Sequence, residues 1–119
     1  MKTELKYNYH DGWLSGVSIG PRKEVTLRII LDSVWNNDKD LTAEVRFGAI
    51  YNYDDVAEYC DILAKECEED GGVGARIDAL HYKEEKKSNS NNHWIYFKTE
   101  GWGSIEIHCR NIKETGIEN

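Results

Sequence analysis

Val25, Leu27, Ile29 and Leu31 alternate with Thr26, Arg28, Ile30 and Asp32. A period of two marks a strand with one buried face, so a strand is predicted from Glu24 to Asp32. Leu41 to Ile50 reads the same way, with Ala43, Val45, Phe47 and Ala49 on one side and Glu44 and Arg46 on the other. Trp13 to Ile19 is a third strand, joined to the Glu24 strand through Gly20-Pro21-Arg22-Lys23, which holds the only proline. Asn36-Asn37-Asp38-Lys39-Asp40 is a polar loop linking the Glu24 and Leu41 strands. Residues 13–50 are therefore expected to form an antiparallel meander.

The period then changes. Val56, Cys60, Leu63 and Cys67 recur at helical spacing with Tyr59 beside them, and Glu58, Asp61, Lys65 and Glu69 fall on the opposite face. This predicts a helix over residues 54–70, with Asp54 or Asp55 as N-cap and Gly71-Gly72 as its stop. Strands follow at Ala75 to Tyr82, His93 to Thr99 and Gly103 to Arg110. In the last, Ile105, Ile107 and Cys109 face inward and Glu106, His108 and Arg110 outward. Lys83 to Asn92 reads as a mobile hairpin loop, and Glu100-Gly101-Trp102 as the turn of the final hairpin. No repeat or linker divides the chain. The expectation is one domain over 1–119 of α+β class. It has a mostly antiparallel sheet of about six strands (13–50 and 75–112) and one amphipathic helix inserted after the third strand.

With 119 residues and 13 aromatics, the chain can bury a core without metal or disulfide staples. No apolar run approaches the ~18–20 residues of a membrane span. The opening Met1-Lys2-Thr3-Glu4-Leu5-Lys6 lacks the apolar stretch of a signal peptide. Cys60, Cys67 and Cys109 fit a reducing compartment, and a cytoplasmic protein is expected. Seven residues apart on a helix, Cys60 and Cys67 would lie roughly 10.5 Å from each other, beyond the reach of a disulfide.

Charge is distributed unevenly. Asp54, Asp55, Glu58, Asp61, Glu66, Glu68, Glu69 and Asp70 face only Lys65 between residues 54 and 70. That segment carries the whole formal excess of −7, and the bases and acids elsewhere cancel. Such a field repels nucleic acid and anionic membrane, neither of which is expected as a partner, and attracts a basic protein surface. A solvated face kept acidic for solubility is the competing explanation. The acids at the helix C-terminus oppose its dipole, at a few tenths of a kcal/mol each, so helix propensity does not account for them.

Candidate chemistry is sparse. His10-Asp11 is a doublet of the kind that binds metal, but Asp11-Gly12 also reads as a turn and His10 as a local hydrogen-bond partner. The four histidines stand on separate elements without metal-ligand spacing, so no metal or other cofactor is expected. Cys60 and Cys67 lie on a helix face expected to be buried, where a thiolate is disfavoured. Cys109 and His108, adjacent on a strand, face opposite sides. Gly71-Gly72-Val73-Gly74 lacks the ending of a phosphate loop and follows acids. Glu106, His108 and Arg110 share one strand face and could converge on a ligand, or form an ordinary solvent-facing row. Among the aromatics, Trp35 and Trp102 are the pair expected to be exposed and to anchor a partner.

Tyr9-His10-Asp11-Gly12-Trp13-Leu14-Ser15-Gly16-Val17, the strand Val25 to Asp32, Val45-Arg46-Phe47-Gly48-Ala49-Ile50 and the last strand from Gly103 to Ile112 carry a resemblance. Together they resemble small bacterial immunity proteins of polymorphic toxin systems, including contact-dependent growth inhibition. The resemblance implies a cytoplasmic antitoxin that binds its cognate toxin domain by occlusion, with no catalytic residues to carry over. Combined with the charge, it makes the expected partner a basic, nuclease-type toxin domain, met by residues 54–70 with Trp35 and Trp102. The alternative is a small metal- or ligand-binding enzyme domain using His10 and Asp11 or the Glu106, His108 and Arg110 row. A homo-oligomer without a toxin partner is a third possibility.

Overall fold

A computed structural model describes residues 4–69, 71, 74–84, 86–89 and 91–119. The elements are β1 (Trp13–Gly20), β2 (Glu24–Ile30), β3 (Leu41–Ile50), α1 (Tyr53–Glu69), β4 (Ile77–Tyr82), β5 (His93–Thr99) and β6 (Gly103–Glu118), with a 3-10 turn at Ser33–Trp35. The fold is α+β, a six-stranded antiparallel sheet with one helix after the third strand. The strand order is β1-β2-β3-β6-β5-β4. The expected meander forms its first half, and β6 then pairs with β3, from Leu41 opposite Glu118 to Ile50 opposite Cys109.

The two outer strands meet at one end. Leu14 N donates to Ala75 O at 3.0 Å, Ile77 N to Gly12 O at 2.7 Å, Asp11 N to Ile77 O at 2.9 Å and Gly74 N to Leu14 O at 2.7 Å. The sheet thus curls until its edges touch, which encloses one face. Leu14, Leu27, Phe47, Ile95, Phe97 and Ile107 fill that face and are fully buried. Val56, Cys60, Leu63 and Cys67, the helical stripe, are buried against it. The helix lies mainly along β1, where the Cys67 thiol reaches Leu14 O at 3.5 Å.

Three expectations need correction. The helix begins at Tyr53, so Asp54 and Asp55 occupy its first turn and neither is its cap. Asn52, just before it, is used on the sheet: Nδ2 donates to Glu106 O at 2.7 Å and Oδ1 accepts from His108 N at 3.0 Å. Just past Ile50, where Tyr51 N still donates to His108 O at 2.7 Å, that side chain carries the pairing on to Glu106 O.

The last strand runs to Glu118, well past Arg110 and Ile112. Ile105, Ile107 and Cys109 face inward as expected, but from Ile112 the parity is reversed. Ile112 and Glu114 lie opposite Phe47 and Val45 on the enclosed face. Ala49, with φ +49, marks the same switch on β3. The pairing register stays continuous from Leu41 to Ile50, so both strands exchange their inward and outward faces together and simple alternation loses the strand there.

Lys83 to Asn92, of which Glu85 and Ser90 lie outside the described residues, folds back on the sheet. Ser88 is buried and its Oγ accepts from Trp94 N at 3.2 Å. Asn89 bridges Asn92, and Tyr51 Oη donates to Asn91 O at 3.1 Å. The tract is polar because it is held by polar contacts. Gly72, the second residue of the expected Gly71-Gly72 helix stop, and Val73 also lie outside the described residues. Among the described residues no helix is long and apolar enough to cross a membrane.

Candidate functional site

The burial of the apolar stripe determines what α1 shows outward. Asp54, Asp55, Glu58, Asp61, Glu68 and Glu69 are exposed and Glu66 is half-buried, while Asp70 lies outside the described residues. Lys65 is bound to Asp61 one turn earlier, Nζ to Oδ2 at 3.3 Å, which uses up the only base on that face. Ile62 stands among the acids, 44% exposed. The face is therefore an acidic ridge with one apolar side chain within it.

The two expected tryptophan anchors are exposed but separated. Trp102, 43% exposed, sits in the β5–β6 turn, and that turn is fastened to the helix. Tyr59 Oη donates to Gly103 O at 2.8 Å and lies 2.7 Å from Thr99 Oγ1, with its ring edge-on to Phe97. The turn that carries Trp102 is thus held against the Tyr59 side of α1. Trp35 is held elsewhere: its Nε1 donates to Asp11 Oδ2 at 3.2 Å and its ring meets His10 edge-on, centroids 5.4 Å apart. None of its contacts among the described residues reaches α1.

His10 and Asp11 form a joint between strands. Asp11 adopts φ +63, tolerable for a short polar side chain, and turns the chain into β1. His10 Nδ1 lies 2.9 Å from Asp78 O, and the Asp11 carboxylate faces Trp35, His10 Nε2 at 3.5 Å and Arg76 Nε at 4.0 Å. Arg76 Nε lies 2.9 Å from Glu100 Oε2, but its N–H aims at no acceptor in hydrogen-bond geometry. Gly12 is closed in by Ile29 and by the carbonyls of Ile30 and Tyr9. Each residue of the doublet has a structural partner. Among the described residues, no three of His, Cys, Asp and Glu gather as a metal site.

The outward row of β6 is taken apart by its neighbours. Glu106 is paired with Lys83 Nζ at 2.9 Å. His108 stacks flat on Trp94 with centroids 3.6 Å apart, and Tyr51 lies on its other flank at 4.5 Å. Its Nε2 is 3.1 Å from Asn92 Oδ1. Burial lowers the His108 pKa, and the nearby Glu106 and Lys86 charges act in opposite directions. Arg110 stands exposed. Acid, imidazole and guanidinium do not converge on a common point.

The three thiols are buried and none is in a disulfide, and burial pushes those of Cys60 and Cys109 up to about 12. At neutral pH they are protonated, with no nucleophilic character.

A second surface escaped the pattern-based reading. A cleft of about 870 Å3 opens between the segment before β1, the loop after β2 and the outer edge of β4. Its floor depends on Glu114, which accepts from Lys6 N at 2.8 and 2.9 Å, from Tyr7 N at 3.4 Å and from Tyr9 Oη at 2.7 Å. Tyr9 is almost wholly buried, and burial followed by the Glu114 carboxylate drives its phenol far above the ordinary value. Glu114 lies beyond the parity switch of β6 and past Ile112, where the expected strand ended. No family model, curated protein or solved structure matches this chain.

Proposed function

We propose that this chain is an immunity protein that binds and neutralises a basic, nuclease-type toxin domain by covering it. The acidic ridge of α1 and the adjoining Trp102 turn form the covering surface. One observation carries this reading: the helix buries its entire apolar stripe and presents Asp54, Asp55, Glu58, Asp61, Glu68 and Glu69 outward, with its only base tied to Asp61. A nuclease must hold phosphate with positive charge, so an acidic ridge competes with its substrate for the same groove. Trp102 and Ile62 supply desolvated anchors, and the charge supplies encounter speed. Three buried thiols suit the reducing cytoplasm, where such a protein would work.

The first test is whether the neighbouring reading frame encodes a basic toxin domain, whose absence counts against this reading; the second is stopped-flow association with that domain. Reversing Glu58, Asp61 and Glu69 to lysine should slow association at low salt by about tenfold or more, the gap narrowing as salt rises. An on-rate indifferent to both the substitutions and salt removes α1 as the interface.

A further inference from the structure

The hydrogen-bond ladder of β4 leaves part of its backbone unused. Glu100 N donates to Arg76 O at 2.9 Å and Lys83 N to Trp94 O at 2.8 Å, which sets the alternation at both ends of the strand. With the irregularity between Ile77 and Ala79, Ala79 and His81 direct their N–H and C=O groups to β5. Leu80 and Tyr82 direct theirs away from it. At the first end of that outer edge, the residues just before β1 supply partners through Gly12 and Asp11, and His10 Nδ1 covers Asp78 O. Farther along the strands part. Tyr82 O meets only the ring of His81, at 2.9 Å. Among the described residues nothing bonds to the N–H of Leu80 or Tyr82 or to the carbonyl of Leu80.

The segment across the cleft is held off. Lys6 N is bound to Glu114, Asn8 N donates to Asn36 Oδ1 at 3.1 Å, and Asn8 O accepts from Asn36 Nδ2 at 2.9 Å. The groups that could have zipped Glu4–His10 onto β4 are already satisfied by side chains from β6 and the loop after β2. The cleft is thus a wedge between that segment and β4, whose outer edge is vacant among the described residues.

We propose that this vacant edge of β4 takes an extended segment of a partner polypeptide as an added strand. Donors and acceptors repeating at alternate residues, about 6.6–6.8 Å apart, match an extended backbone and not a compact solute. Nothing in residues 77–82 guards the edge with proline or lysine, the usual protection. Asp78 and Glu84 flank it at its two ends and His81 stands between, so basic side chains on the segment are favoured along β4. Lys6 and Lys39 line other parts of the cleft wall. The proposal is independent of the toxin-binding reading, which uses the side-chain charge of α1 and no strand edge.

The test uses the whole unmodified chain as bait for phage-displayed random peptides about twelve residues long, long enough to lie along one strand edge. The enriched peptides are then added to isotope-labelled protein and backbone amide exchange is measured by NMR. Exchange at Leu80 and Tyr82 should slow by about tenfold or more, while Ala79 and His81, already bonded to β5, change little. Enriched peptides should also bind the Glu58, Asp61 and Glu69 charge-reversal variant equally well, which separates this edge from α1. Failure to enrich any peptide above an unrelated bait, or binders that leave Leu80 and Tyr82 exchange unchanged, overturns the proposal.

Discussion

Glu114 shows how much one side chain can organise. It gathers two backbone N–H groups and the buried Tyr9 hydroxyl, and hydrogen bonds to a charged group contribute about 1.5–3 kcal/mol each. Glu114→Ala should therefore lower unfolding free energy by about 3 kcal/mol in urea titration and speed amide exchange in residues 6–9. A loss within experimental error would show that Glu4–His10 is held by other contacts. His108 makes a pH prediction of definite sign. Burial between Trp94 and Tyr51 lowers its pKa below the ordinary 6.5, so the unfolded chain binds the proton more readily. Its contribution to stability is complete above pH 6.5 and is lost as pH falls through the depressed folded value. His108→Gln should flatten the decline of unfolding free energy with acidification in that window, compared with the wild type. His10 and Asp11 give the converse lesson. They were conspicuous in the sequence, yet they serve as the joint between β1 and β4, because a doublet's neighbours across the sheet decide its role.

At the scale of the element, α1 was the most legible part of the chain. Its four buried positions follow from spacing alone, since a helix packed on a sheet must turn one stripe inward. Its start was not legible: Asn52, adjacent to the acids that look like caps, is claimed by the backbone of β6. The C-terminal acids work against the helix dipole with no base in the last turn. Replacing Glu68 and Glu69 by lysine should therefore raise stability by about 0.3–1 kcal/mol per site. That gain, read from chemical denaturation, would mean the wild-type acids are kept at the expense of stability. A loss instead would indicate that they make stabilising contacts of their own. Strand β6 was legible only to its parity switch, where it and β3 exchange faces near Ala49 without a change of register.

The whole molecule depends on contacts distant in sequence. The pairing of β3 with β6 and the closure of β1 on the residues before β4 enclose the core and seal in all three thiols. With Cys60 and Cys109 raised to about 12, native protein at pH 8 should react with a thiol reagent at no more than a trace, and in urea all three cysteines should react. Rapid labelling without denaturant would mean that the closure opens readily. The sequence by itself determined the class, the inward faces of β2, of β3 as far as Phe47, of β6 as far as Cys109 and of the helix, and the uneven charge, because these rest on local periodicity and composition. Only the tertiary structure decided the strand order, the separation of Trp35 from Trp102, the role of Glu114 and the vacant edge of β4. Each of those depends on which segments meet across the sheet, and local periodicity holds no record of a pairing partner.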